Sequence, residues 1–242
     1  PATTLQSLSD LSASGPIHMH IAEQTAEVDE VLQVYGRRPV QWLLEHCPVN
    51  SRWCLIHATH LTPSETHDLA NSGAVAGLCP MTEANLGDGI FDGRRFIDAG
   101  GAFGVGSDSN VRISLSEELR LLEYSQRLND QSRVVLAKPD QSCGRVLFEG
   151  ATRGGAQAIG RQSGQIRAGQ WADLVALDGQ AVELSSCRHD TLLDAFIFAG
   201  SDNLVTDVWS AGRHVVRERR HIHHERISAQ FVHTMQQLHD SL

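Results

Sequence analysis

Asp108 closes the apolar run Ala102-Phe-Gly-Val-Gly-Ser-Asp108, and two earlier runs close in the same manner, Ile17-His-Met-His20 and Trp53-Cys-Leu-Ile-His57. Imidazoles and a carboxylate delivered by separate strands to one rim of a sheet would make a metal-centred hydrolytic site. His20 as a neutral imidazole is a zinc-type ligand. Glu23, three residues further on, could shuttle protons beside it. Asp108 could ligate a metal, accept a proton from an activated water and return it to a leaving group. His57 could polarise the bond under attack or hold the attacking water.

Each of these residues also has a plainer reading. His18 and His20 form a His-x-His pair on one strand face, so His18 rivals His20, and the pattern does not decide whether one or both bind. His60 follows His57 in a loop and is the weaker rival, because a strand end holds a side chain more tightly. Asp108 could cap a helix, although Ser114 already holds the cap position of the next long one. The polar stretch 82–89 reads as a loop above the same rim, where Glu83, Asn85 and Asp88 could shape a pocket or merely make turns. Glu83, Asn85 and Arg112 are the candidates for contacting substrate. Arg112 could grip a carboxylate bidentately, or pair with a neighbouring acid. His221-Ile-His-His224 reads as a solvated run with no catalytic role.

The elements that must carry these residues alternate along the first half of the chain. Residues 1–12 read as the tail of a helix through Leu5, Leu8 and Leu11, stopped by Gly15-Pro16. Val28, Val31, Leu32 and Tyr35 lie at helical spacing, and a shorter helix follows over 40–45. Thr62-Pro-Ser-Glu65 is a helix start with a cap, a first-turn proline and a returning glutamate, and Asn71-Ser-Gly73 is its end. Strands are predicted over 74–79 and 102–106, separated by a helix over 91–99, and Ser114 with Glu117 opens a long helix. Four strand-helix units with compact connections predict an α/β fold, parallel strands inside and helices outside. Beyond a helix over 146–159 the pattern shortens, with strands predicted over 172–177, 196–198, 205–209 and 214–216. These imply a small β domain, followed by a terminal helix over 228–242.

Composition narrows the function classes. The 242 residues can bury a substantial core, and 41% hydrophobic content with 7 prolines disfavours disordered and fibrous chains. A net charge of -9, from 29 acidic against 20 basic residues, argues against nucleic acid or an anionic membrane as partner. A small anionic substrate held by a local arginine remains compatible with it. The 5 cysteines form no close ligand pair and leave one over in any full disulfide scheme, which suits the cytoplasm. Neither a membrane span nor a secretory leader is evident.

Taken together, His18-Met-His-Ile-Ala-Glu-Gln24, Trp53-Cys-Leu-Ile-His-Ala-Thr-His60, Gly77-Leu-Cys-Pro-Met-Thr-Glu-Ala-Asn-Leu-Gly-Asp-Gly89, Gly106-Ser-Asp-Ser-Asn110 and Glu118-Leu-Arg-Leu-Leu-Glu-Tyr-Ser-Gln-Arg-Leu128 resemble the amidohydrolase superfamily. Within it the resemblance is to the formimidoylglutamate deiminases of bacterial histidine degradation, over essentially the whole chain. The resemblance implies a metal-dependent (β/α)8 TIM-like barrel with a composite β-sandwich, and one divalent metal ion, zinc by preference. It makes His20 the fifth-strand metal ligand, Glu23 the proton shuttle, His57 the sixth-strand histidine, and Asp108 the eighth-strand ligand and base. The implied reaction is hydrolysis of N-formimino-L-glutamate, a small anionic formimino amino acid, to N-formyl-L-glutamate and ammonia by a metal-activated water. A homodimer is compatible with it.

The family begins its site with His-x-His on the first barrel strand, which has no counterpart here. Residues 1–160 would then be barrel strands five to eight with their helices, 161–227 a partial β-sandwich, and 228–242 a terminal helix. A half-barrel would expose unpaired strand edges, so the expectation is a fragment with weak metal affinity and no appreciable activity alone. Two other readings stay open: a superfamily deaminase acting on a purine, pyrimidine or amidine-like substrate, and a catalytically inactive structural or regulatory remnant.

Overall fold

A computed structural model of the chain describes Leu5, Ser7 and residues 14–241. The helix predicted over 1–12 therefore lies, apart from Leu5 and Ser7, outside the described residues. In chain order the first half comprises β1 (Ile17–Ile21), α1 (Thr25–Tyr35), α2 (Pro39–His46), β2 (Trp53–His57), α3 (Pro63–Ser72), β3 (Val75–Leu78), α4 (Pro80–Leu86), α5 (Gly93–Asp98), β4 (Ala102–Val105) and α6 (Leu115–Asp130). The four strands pair in parallel in sequence order, β1-β2-β3-β4. Register sets His20 beside Ile56, Ile21 beside His57, and Leu78 beside Val105. Because every strand runs the same way, all four carboxyl ends reach one rim. This is the strand and helix alternation of part of a TIM-like barrel.

Local chemistry explains the element ends. Thr62 and Glu65 form the reciprocal capping box predicted for α3, and Gly73, at φ 78°, ends that helix in the left-handed region. Ser114 accepts from the Glu117 amide to start α6. The stretch predicted as a loop over 82–89 is instead largely α4. Pro80 presets the first helical φ, the Glu83 side chain accepts from the Cys79 amide, and Gly87 at φ 75° closes the helix. Seven residues are too few for hydrophobic periodicity to reveal this helix.

The remaining elements are α7 (Cys143–Ala158), β5 (Leu174–Leu177), α8 (Asp190–Phe198), β6 (Val205–Ser210), β7 (Arg213–Arg217), β8 (Arg220–His221) and α9 (His224–Asp240). Strands β5 to β8 form a second, antiparallel sheet in that order. The strand predicted over 196–198 is the last turn of α8. A three-residue apolar run fits either period, and α8 buries Phe196 and Ile197 in the core. Helix α8 crosses α7 where a β-carbon on Gly144 would stand 2.6 Å from the Asp194 amide nitrogen, so only glycine permits the approach. The terminal helix starts at His224, four residues before its predicted start, and buries none of its residues. Among the described residues no helix is long and apolar enough to cross a membrane.

Helix α7 packs directly on β4. A β-carbon at Gly154 would lie 1.9 Å from the Phe103 carbonyl oxygen. Gly154→Ala should therefore force helix and strand apart and cost about 1–3 kcal/mol. A thermal melt should show a Tm several degrees lower, and an unchanged Tm would mean that the packing is looser than described.

Candidate active site and metal centre

The carboxyl rim of the parallel sheet collects His20, Glu23, His57 and Asp108. His20 Nδ1 lies 3.1 Å from His57 Nε2, with the two rings tilted by 54°. The same His57 nitrogen stands 3.6 Å from Glu23 Oε1 and 3.5 Å from Asp108 Oδ2. One donor atom from each of His20, His57 and Asp108 falls within 4.8 Å of the others. Two imidazoles and a carboxylate so arranged suit a divalent cation of the zinc type. His57 is fully buried, whereas His20 and Asp108 face solvent.

The backbone at this rim is strained. Ala22, His57, Ala58 and Asp108 all adopt left-handed φ values between 48° and 67°. Each such non-glycine residue costs roughly 1–3 kcal/mol, and strain of this kind concentrates at functional sites. Hydrogen bonds hold the turns in place. Ala58 N donates to Ile21 O and His60 N to Ala22 O, both at 3.0 Å. Glu27 accepts from the Ala22 and Glu23 amides at 2.8 and 2.9 Å, fixing the loop that presents Glu23. Asp108 divides its two oxygens: Oδ1 accepts from Ser109 N at 2.6 Å, leaving Oδ2 toward His57.

Electrostatics at His57 point the same way. Burial of the ring works to lower its pKa. The hydrogen bond to Glu83 and the charges of Glu23, Glu83 and Asp108 outweigh that and hold it above the ordinary histidine value. A buried imidazole ringed by carboxylates marks a place that favours positive charge. Thiolate chemistry does not compete here. All five cysteines are free, and burial pushes Cys54, which lines the adjoining cleft, up to about 11.

That cleft, about 270 Å³, runs along the inner face past His18, His20, Ile56, Cys79 and Asp108. A larger one of about 610 Å³ lies among α3, α5 and α6, where Arg94 and Arg95 are already paired with Asp130 and Asp92. The smaller cleft is the one that reaches the reactive cluster.

The other sequence candidates lie elsewhere. His18 shares the exposed face of His20, but its Nε2 is 2.7 Å from the Ala158 carbonyl and it stays outside the cluster. His60 engages the Asp88 carbonyl at 2.7 Å. Asn85 is exposed on α4. Arg112 grips Glu117 and reaches Asp202 at 3.3 Å, so a neighbouring acid rather than an open pocket occupies its guanidinium. Glu83 is buried behind His57, with Oε1 3.3 Å from Nδ1, because α4 turns its carboxylate inward. Sequence reasoning missed Glu27 as the loop anchor. Its one signal was an acid in the first turn of α1, a common placement with no unique meaning.

It also missed Glu118, a buried residue of α6 that accepts from the Met81 amide at 2.9 Å while its Oε1 has no partner. Burial raises its pKa to about 7. The folded chain thus keeps a proton that the unfolded chain loses near 4.5, so this stabilising contribution is full at low pH and fades as pH climbs through 7. Glu118→Gln removes that dependence. Melts at about pH 5.5 and 8.5 should show the variant gaining on the parent by roughly 2 kcal/mol as pH rises. A constant difference would mean that Glu118 is not protonated in the fold.

The Amidohydrolase family matches residues 12–215. A curated relative, the formimidoylglutamate deiminase of Pseudomonas aeruginosa, is 50% identical over 99% of this chain and 54% of its own length. The crystal structure of an amidohydrolase from Brucella melitensis superposes with a TM-score of 0.93 at 46% identity, over 98% of this chain and 52% of that one. An adenosine deaminase from Xanthomonas campestris, solved with bound zinc, gives 0.86 at 28% identity, over 99% and 53%. The chain spans about half the length of the relatives it matches. With the match over residues 12–215 and the parallel sheet delivering His20, His57 and Asp108 to one rim, the chain belongs to the amidohydrolase family.

Proposed function

We propose that these residues serve the hydrolytic deimination of N-formimino-L-glutamate to N-formyl-L-glutamate and ammonia. The convergence of Glu23, His57 and Asp108 beside His20 carries the reading, and the 50% identity to a formimidoylglutamate deiminase supports the choice of substrate. His20 and Asp108 would hold one divalent metal, which when bound supplies a Lewis acid able to bring the pKa of water near neutrality. The resemblance implies a first-strand His-x-His, which would complete the ligand set.

The chain's own groups account for both protons of the reaction. Water adds its oxygen to the formimino carbon, and the C=N nitrogen leaves as ammonia after gaining two protons. Asp108 Oδ2 is placed to accept one proton from the water. Glu23 Oε1, across His57 Nε2, is placed to take the other and deliver it to the departing nitrogen, and Asp108 returns its own proton as ammonia leaves. Between them His57 orients the water and the carbon under attack. An amidine carbon is common to the formimino group and to C6 of adenine. The likeness to an adenosine deaminase therefore favours purine deamination as the second reading.

Turnover of N-formimino-L-glutamate and of adenosine, measured side by side on the metal-loaded protein that carries this chain with its first-strand ligands, separates the two. Preference for the formimino amino acid by several orders of magnitude in kcat/KM is expected. Preference for adenosine would overturn the narrower assignment. The 242-residue chain by itself should bind zinc weakly, and tight one-to-one binding would contradict the view that part of the ligand set lies outside it.

A further inference from the structure

We propose that Glu83 is a positioning residue that decides which nitrogen of His57 faces the reaction centre. Glu83 Oε1 lies 3.3 Å from His57 Nδ1 and also accepts from the Cys79 amide at 3.0 Å. A carboxylate that accepts at Nδ1 keeps the proton of neutral imidazole on that nitrogen. The lone pair is then left on Nε2, the nitrogen that meets His20, Glu23 and Asp108. The proposed function supplies the use of that lone pair, which is to orient water or face the cation.

Glu83 is not free to leave this post. Helix α4 is fastened by Met81 N to Glu118 Oε2 at 2.9 Å, by Thr82 Oγ1 to the Ser107 carbonyl at 3.0 Å, and by the Glu83 side chain itself to Cys79. The Ser107 contact ties the same helix to the residue before Asp108, so α4 couples the ends of β2, β3 and β4. Both Glu83 and His57 are buried, which removes water as a competing acceptor for Nδ1. The left-handed φ of 67° at His57 adds a further need for an anchored ring.

One oxygen of Glu83 makes both bonds, so a carbonyl oxygen is sufficient and the charge is not required. That separates two variants. Long-range proton-nitrogen NMR of the metal-free protein that carries this chain with its first-strand ligands, read at the alkaline limit of the His57 titration, reports the tautomer directly. The parent and Glu83→Gln should both show the proton on Nδ1, and Glu83→Ala should shift it substantially to Nε2. A parent protein with its proton on Nε2, or a folded Glu83→Ala that keeps the Nδ1 proton, would overturn the proposal. If Glu83→Ala does not fold, the parent and Glu83→Gln spectra decide it. The tautomer measurement needs neither substrate nor metal, so its failure and failure of the deiminase reading are distinguishable.

Discussion

In the metal-loaded protein that carries this chain with its first-strand ligands, Asp108→Asn should lower kcat for the proposed deimination by about 10³–10⁴-fold while leaving the melting temperature within a few degrees of the parent. Asp108 holds a left-handed φ of 52°, a conformation that asparagine adopts readily and alanine does not. The amide oxygen can still accept from the Ser109 backbone, so the turn should survive. What disappears is the carboxylate oxygen aimed at His57. The variant loses a proton acceptor and an anionic metal donor in one change, which is why its effect should exceed that of any other single replacement at the rim. Kinetics and metal content of the purified variant check it. A loss below tenfold with normal metal content would remove Asp108 from the chemistry.

Glu23→Gln tests the other proton path. Its carboxylate sits 3.6 Å from His57 Nε2 but outside the three-residue metal cluster, so zinc affinity should stay within a few-fold of the parent. Activity should nevertheless fall by about 10²–10³-fold, the usual scale for removing a general acid-base group. KM should change little, since glutamine keeps the size and polarity of the side chain. The two variants thus give different signatures, metal and rate together at Asp108, rate alone at Glu23. A Glu23→Gln protein that lost metal in proportion to activity would place Glu23 among the ligands instead.

The parts of this site legible in the sequence share a physical cause. His20, His57 and Asp108 end short apolar runs, and parallel strands in sequential order bring such ends to one rim whatever the helices between them do. The capping box at Thr62 is equally local, because four residues contain its whole chemistry. Glu83 is the contrary case. Its partner His57 is 26 residues away, and the short helix that aims it inward looks, residue by residue, like a polar turn. Glu27 hides for a similar reason, since an acid in a first helical turn carries no mark of which amides it will accept from. The run 196–198 shows the limit of periodicity itself: three apolar residues satisfy both a strand and a helix until packing chooses.

Product analysis tests the central claim most directly. Attack of water on the formimino carbon can expel either of its two nitrogens, and Glu23, beside His57 Nε2, is assigned to protonate the terminal one. Incubating N-formimino-L-glutamate with the metal-loaded protein in ¹⁸O-labelled water should release ammonia and N-formyl-L-glutamate in equal amounts, with the label in the formyl oxygen. Release of formamide and glutamate, or no turnover by fully metal-loaded protein, would contradict the deiminase chemistry assigned to Glu23, His57 and Asp108.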